Sequence, residues 1–196
     1  MAKYLHREQR VEQIADAALA VIAESGLRGF TTKAVAERVG ITDGTIFRHF
    51  KSKQEIVVAA MERLEERMFA GGFPTEPDPL DRLEVFFLRR ATMLGGADPI
   101  GRLMFSEQLV HAAGAKGRET LNAWREKNMR FVLECMKNLQ DQGRLRPGLK
   151  PKEAARLFQG LLLTFAFERS LLGREQSNLA ARAAEAFAAL TVSLTS

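Results

Sequence analysis

Apolar residues recur along this chain at intervals of three and four, the spacing that puts them on one face of a helix. Val11, Ile14, Ala15, Ala18, Leu19 and Ile22 form the first such stripe, and Gly26 offers it a stop. Thr32 can cap a short helix running to about Val39. Gly40 makes a turn, and Thr42 or Asp43 can cap a second short helix to about His49. Ser52 precedes a long helix with Ile56, Val57, Ala60, Met61, Leu64 and Met68 on one side. The run Gly71-Gly72-Phe73-Pro74 to Pro79 breaks that helix and reads as the main boundary or a loop.

Beyond it, Leu83, Phe86, Phe87, Ala91 and Leu94 give a further stripe, ended by Gly95-Gly96. Pro99 opens a short helix carrying Leu103, Met104 and Phe105. Leu121, Trp124, Phe131, Val132, Cys135, Met136 and Leu139 mark a long helix ending near Gly143. Pro151 starts another, with Ala154, Leu157, Phe158, Leu161, Leu162 and Phe165. Leu179, Ala183, Phe187, Leu190 and Leu194 mark the last. The expectation is an all-α chain of about nine helices. No segment alternates with period two for long, so no strand is expected.

Composition narrows the function classes. Hydrophobic residues make up 46% of the 196, enough to bury a core. No apolar run reaches the ~18 residues of a membrane span, and the polar stretch Met1–Arg10 lacks the apolar region of a secretory signal. Cys135 is the single cysteine, which excludes an internal disulfide and a cysteine-built zinc site and fits a cytoplasmic location. Three scattered histidines give no dedicated zinc site. Glu107 and His111 stand four apart, but the sequence offers them no third ligand. No metal, cofactor or catalytic constellation is expected, since nucleophile-elbow, phosphate-loop and dinucleotide fingerprints are missing. The net charge of +5 is uneven: residues 1–53 carry nine Lys/Arg against six Asp/Glu. A basic bias in a short N-terminal segment suits a phosphate-binding module.

The informative segment is Gly29 to Lys53. Two short helices joined through a glycine turn make a helix-turn-helix. Ala36 is small enough for the second helix to pass close, Gly40 supplies the permissive backbone, and Ile46 points back to Val35 and Val39. Between them Thr42, Asp43, Gly44, Thr45, Phe47 and Arg48 face outward at the start of the second helix, the end that meets base edges in a major groove.

The phrase Gly40-Ile-Thr-Asp-Gly-Thr-Ile-Phe-Arg-His-Phe-Lys-Ser-Lys53, with Thr31-Thr32 and the first stripe, resembles the DNA-binding region of the tetracycline-repressor (TetR) family. The resemblance implies a helix-turn-helix domain over residues 1–52 and a helical effector-binding and dimerisation domain over 53–196. It implies that Thr32 caps its helix and sets a phosphate contact, to which Lys33 adds. Thr42, Gly44 and Thr45 sit at the groove, Arg48 and His49 reach backbone or base edge, and Lys53 contacts phosphate. Phe47 stands where tyrosine is usual: its ring can touch a thymine methyl but has no hydroxyl for phosphate. Asp43 stands where a neutral or basic residue is common, and can cap the helix or accept from a cytosine amino group.

The implied function is repression of a pseudo-palindromic double-stranded operator by a homodimer, released by a small, largely apolar effector. The alternative is the same fold tuned by a protein partner or by none. Phe86, Phe87, Met93, Met104, Phe105, Trp124, Phe131 and Met136 are core first and candidate effector-pocket residues second. Leu157, Phe158, Leu161, Leu162 and Phe165 on one helix, with Leu179, Phe187, Leu190 and Leu194 on the next, are the candidate dimer interface.

Overall fold

A computed structural model describes residues 7–96, 107–172 and 178–195, with the side chains of 107 and 169–172 outside that description. Eight helices lie in the described residues: α1 (Arg7–Gly29), α2 (Thr32–Val39), α3 (Asp43–Ile46), α4 (Lys53–Phe69), α5 (Pro79–Gly95), α6 (Glu107–Asp141), α7 (Pro151–Leu172) and α8 (Leu179–Leu194). Among the described residues no strand forms, and one isolated bridge pairs Leu145 with Thr195. The expected helix from Pro99 falls outside them. No helix of the described residues is long and apolar enough to cross a membrane.

The chain divides into two compact units. The first takes in Met1–Ala70 and Phe105–Trp124, the second Gly71–Met104 and Arg125–Ser196. The break after Ala70 coincides with the Gly-Pro stretch. Packing therefore groups α4 with the helix-turn-helix, whereas the division at residue 52 follows the motif alone.

In the first unit α1 packs on α4 and on α2, and α2 packs on α3. The α1 stripe supplies the reason: Ile14, Ala18, Leu19 and Ile22 are buried on one face, and Ile56, Val57, Ala60, Met61 and Leu64 of α4 are buried with them. Helical geometry in α1 breaks at Gly26, which takes a positive φ of 66°. A similar break at Gly114 (φ 65°) divides α6. There the Gln54 side chain donates to the Ala113 carbonyl at 3.1 Å, a carbonyl that the broken helix leaves short of its usual partner.

In the second unit α5 packs on α7 and α8. Asp78 caps α5 by accepting from the Leu80 amide at 2.7 Å, with Pro79 in the first turn. That amide, and then Arg144 at 2.8 Å, hold the Asp78 carboxyl below the usual carboxylate range. The centre of this unit is a stack of rings. Phe87 meets Phe158 and Phe165 edge-on at 5.4 and 5.8 Å and Phe187 at 5.5 Å. Phe131 lies 4.8 Å from Phe73 and 5.0 Å from Phe86. Such pairs add to the burial of their area. Phe87→Ala should therefore cost about 3–5 kcal/mol, read as a lower urea midpoint for the second unit with far-ultraviolet dichroism as the probe. An unchanged midpoint would mean that Phe87 does not centre this core.

Candidate nucleic-acid interface

The start of α2 corrects one expectation. Thr31, in extended backbone, is the cap, and its hydroxyl accepts from the Ala34 amide at 3.0 Å. Thr32 is the first helical residue instead, half-buried. At the other end Gly40 adopts φ 76°. Its amide donates to the Glu37 carbonyl at 3.2 Å while the Ile41 amide donates to Ala36 at 3.0 Å. This pair of bonds is the Schellman closure, and it needs the left-handed residue.

The chain then enters α3 at Asp43. Thr42 precedes it but makes no side-chain capping bond, its hydroxyl lying 2.8 Å from that of Thr45. The helix is four residues long rather than reaching His49. The following amides tighten to three-residue bonds, Arg48 to Thr45 and His49 to Ile46. Ile46 and Phe50 are buried, as are Val35 and Ala36, and α3 packs on α2. The rest of the segment is left outward: Thr42, Asp43, Gly44, Phe47 and Arg48 are exposed, Thr45 and His49 half-buried. Phe47 is 51% exposed, a large ring held in solvent at the end of α3. A Cβ on Gly44 would meet nothing within 4 Å, so the fold does not require a glycine there.

Lys33 is exposed and pairs loosely with Glu37 at 4.0 Å. Ser52 caps α4 by accepting from the Glu55 amide at 3.2 Å. Glu55 reaches back to the Lys51 amide at 2.7 Å, one residue before the usual capping-box partner. Lys53 opens α4, its ammonium 4.9 Å from the centroid of the buried Phe30 ring. Two clusters of charged bonds brace the unit. Arg38 grips Glu24 through two bonds of 2.7 Å. Arg63 grips Asp16 at 2.9 and 3.1 Å and also bonds Glu66, while Arg67 adds 3.3 Å to Asp16.

His49 carries the electrostatic signature of the site. Desolvation holds its pKa below the ordinary imidazole value, and the positive charges of Arg7, Arg10 and Arg48 lower it further. Its Nδ1 is buried without a hydrogen-bond partner. Arg7 and Arg10 lie outside the Gly29–Lys53 motif. Their i, i+3 spacing at the start of α1 was visible, but their approach to His49 was not.

The remaining expectations fall differently. Phe86, Phe87, Phe131 and Met136 lie in the second unit with half-buried Met93, whereas buried Trp124 belongs to the first unit. Met104 and Phe105 lie outside the described residues. Of the nine interface candidates, Phe158, Leu162, Phe165, Phe187 and Leu194 are buried inside the protomer, and Phe158, Phe165 and Phe187 are spent on Phe87. Leu161, Leu179 and Leu190 are half-buried. Only Leu157, at 53%, stands fully outward. The other exposed apolar residues of these two helices are Leu163, Phe167 and Val192.

A capped helix, a glycine turn and an outward-facing second helix with basic side chains around it have the form of a helix-turn-helix. Residues 14–60 match the family described as bacterial regulatory proteins, tetR family. The transcriptional repressor KstR of Rhodococcus jostii is 34% identical over 95 residues, 48% of this chain and 44% of that protein. The chain thus spans under half the length of this curated relative. Among solved structures, a TetR regulator from Chloroflexus aurantiacus superposes with a TM-score of 0.76 at 18% identity, covering 96% of this chain and 98% of that one. The structure of AibR with isovaleryl coenzyme A and operator DNA gives 0.70 at 19%, covering 93% and 97%. These likenesses show a shared fold.

His49 yields a pH dependence. Because its folded pKa lies below its unfolded value, the unfolded chain binds the proton more readily. The stability this group leaves intact above pH 6.5 is lost as the pH falls through the folded value. The melting temperature of His49→Gln should drop less between pH 7 and pH 5 than that of the unaltered chain. Parallel curves would remove His49 as the titrating group.

Proposed function

We propose that this protein is a transcriptional repressor that binds double-stranded operator DNA through α2, the glycine turn and α3, as a homodimer. The observation that carries the reading is the outward set Thr42, Gly44, Thr45, Phe47 and Arg48, held at the end of a closed helix-turn-helix with a solvent-exposed aromatic ring among them. Thr42, Gly44 and Thr45 meet base edges, with Gly44 allowing close approach, and Phe47 contacts a thymine methyl. Asp43 faces the same groove. Arg48 reads a base edge. Thr32, Lys33, His49 and Lys53 hold phosphates, and Arg7 and Arg10 add to the positive field that draws the duplex in. With Nδ1 buried, His49 has Nε2 to offer a phosphate, and the neutral Nε2–H tautomer donates there.

Homodimerisation is supported by an unpartnered apolar face. Leu157, Gly160, Leu161, Thr164 and Phe167 follow one another at helical spacing along α7, and Phe167 is 60% exposed. On α8 the small residues Ala181, Ala184 and Ala188 lead to Val192, 72% exposed. A second copy laid across these faces makes an isologous four-helix contact. The second unit then holds the effector. The solved AibR complex contains isovaleryl coenzyme A, an acyl group on a large anionic carrier. An effector entering between α5, α6 and α7 here must part the Phe86–Phe131–Phe73 stack. That stack also supports a second reading, in which aromatic side chains fill the interior and regulation comes from a protein partner or from none.

Lys53→Ala should weaken specific and random duplexes about equally and lower the salt slope by about one. Thr45→Ala should instead cut the ratio between them, each lost base contact being worth about 1–3 kcal/mol. Fluorescence titration with both duplexes decides, and the reverse pattern would refute the assigned groove geometry. Phe167→Glu should give a 21.9 kDa species in sedimentation and weaker operator binding with the helix-turn-helix untouched. Dimers at micromolar concentration in that variant would refute the α7–α8 interface.

A further inference from the structure

The first unit contains a cavity of about 580 Å³, apart from the outward residues of α3. Its size falls in the range of small-molecule sites, about 300–1,000 Å³. It opens between three elements: the end of α1, the first turn of α4 and the first turns of α6, all within this one compact unit. Leu27, Phe30, Val57 and Ala112 give it an apolar wall. Its charged groups are all of one sign: Arg28 and Lys53 line it, and no described lining residue is a carboxylate. Among the described residues neither cation has a carboxylate partner. Gln54, Gln108 and His111 complete the polar edge. An apolar hollow with two unpaired cations at its margin attracts an organic anion, whose body leaves water while its charge stays near the guanidinium and the ammonium.

We propose that this cavity is a binding site for a small organic anion, a carboxylate or phosphate on an apolar body, and that its occupant competes with DNA for Lys53. Lys53 belongs to both sites. It lines the cavity, and it opens the helix whose first turn faces the duplex in the functional reading above. An anion in the cavity holds that ammonium over Phe30, where the ring already lies 4.9 Å away, and withdraws it from phosphate. The neighbouring Gln54, tied to the Ala113 carbonyl beside the Gly114 break, fixes the first turn of α4 against α6, so the cavity keeps its shape when loaded.

The test uses the full chain without DNA, by isothermal titration with octanoate, and with 1-octanol and inorganic phosphate as comparators. Octanoate should bind, octanol about tenfold more weakly, and phosphate without measurable heat. Arg28→Ala, a change at an exposed side chain, should reduce octanoate affinity about tenfold and leave octanol unaffected. Ala112→Phe fills the cavity and should abolish octanoate binding while duplex affinity and melting temperature persist. With the unaltered chain, saturating octanoate should weaken duplex binding about fivefold, and in Ala112→Phe it should do nothing. No octanoate heat, equal binding of octanol, or wild-type binding in both variants would overturn the proposal. So would octanoate binding that leaves duplex affinity unchanged. Because the titrations contain no DNA, a failure of operator recognition is recorded separately.

Discussion

The left-handed backbone at Gly40 is the constraint on which the outward face of α3 depends. Two amides, those of Gly40 and Ile41, turn back on the last carbonyls of α2, and only a residue free to adopt φ 76° allows both. The turn sets the direction in which the chain leaves α2. Ile46 and Phe50 are buried, as are Val35 and Ala36, while Thr42, Asp43, Gly44, Phe47 and Arg48 are left exposed. That outward face is thus what remains after the small core of α2 and α3 is satisfied. A four-residue helix could not hold such a set of side chains by its own hydrogen bonds. It holds them because its single inward residue is locked.

The same economy governs the rest of the first unit. Hydrophobic burial between α1 and α4 supplies the driving force, and the charged clusters supply direction. Asp16 accepts from Arg63 and Arg67, and Glu24 from Arg38, so α1 is fastened to α4 on one side and to α2 on another. Exposed ion pairs contribute little to stability. Their geometry nonetheless selects one rotation of each helix among the several that an apolar stripe would tolerate. Lys53 is brought to its place in the same manner, by a serine cap below it and an aromatic ring beside it.

In the second unit seven phenylalanines do the work that mixed aliphatic packing does in the first. Rings meeting at 4.8 to 6.5 Å fill space with few rotatable bonds, and they tie α5 to both α7 and α8. Cys135 is sealed into the same core, where burial pushes its thiol up to about 11 and keeps it unreactive. With the inner faces of α7 and α8 used up, what is left outward is a band of leucine, phenylalanine, alanine and valine that a lone protomer would have to expose.

The sequence by itself determined the helical class, the starts of α4 and α7, the end of α5 and the module between Gly29 and Lys53, while it ran α3 on to His49 and marked α6 only from Leu121. Those features are local. A cap, a glycine and a period of 3.6 act over a few residues and survive in any tertiary setting. It could not tell Thr31 from Thr32 as the cap, since adjacent hydroxyls compete and only the entry angle of the chain decides. Nor could it assign the stripes of α7 and α8. Periodicity says that Phe158, Phe187 and Leu157 lie on apolar faces, but not which face a neighbour has already claimed, and α5 claims the first two. Trp124 reads as one more apolar position of a long helix until the packing assigns it to the first unit. Arg7 and Arg10 beside His49, and Arg28 with Lys53 and Ala112 around one cavity, unite residues from distant parts of the chain. Such encounters are decided by the crossing of helices, which depends on all their contacts together and is written in no single stretch of the chain.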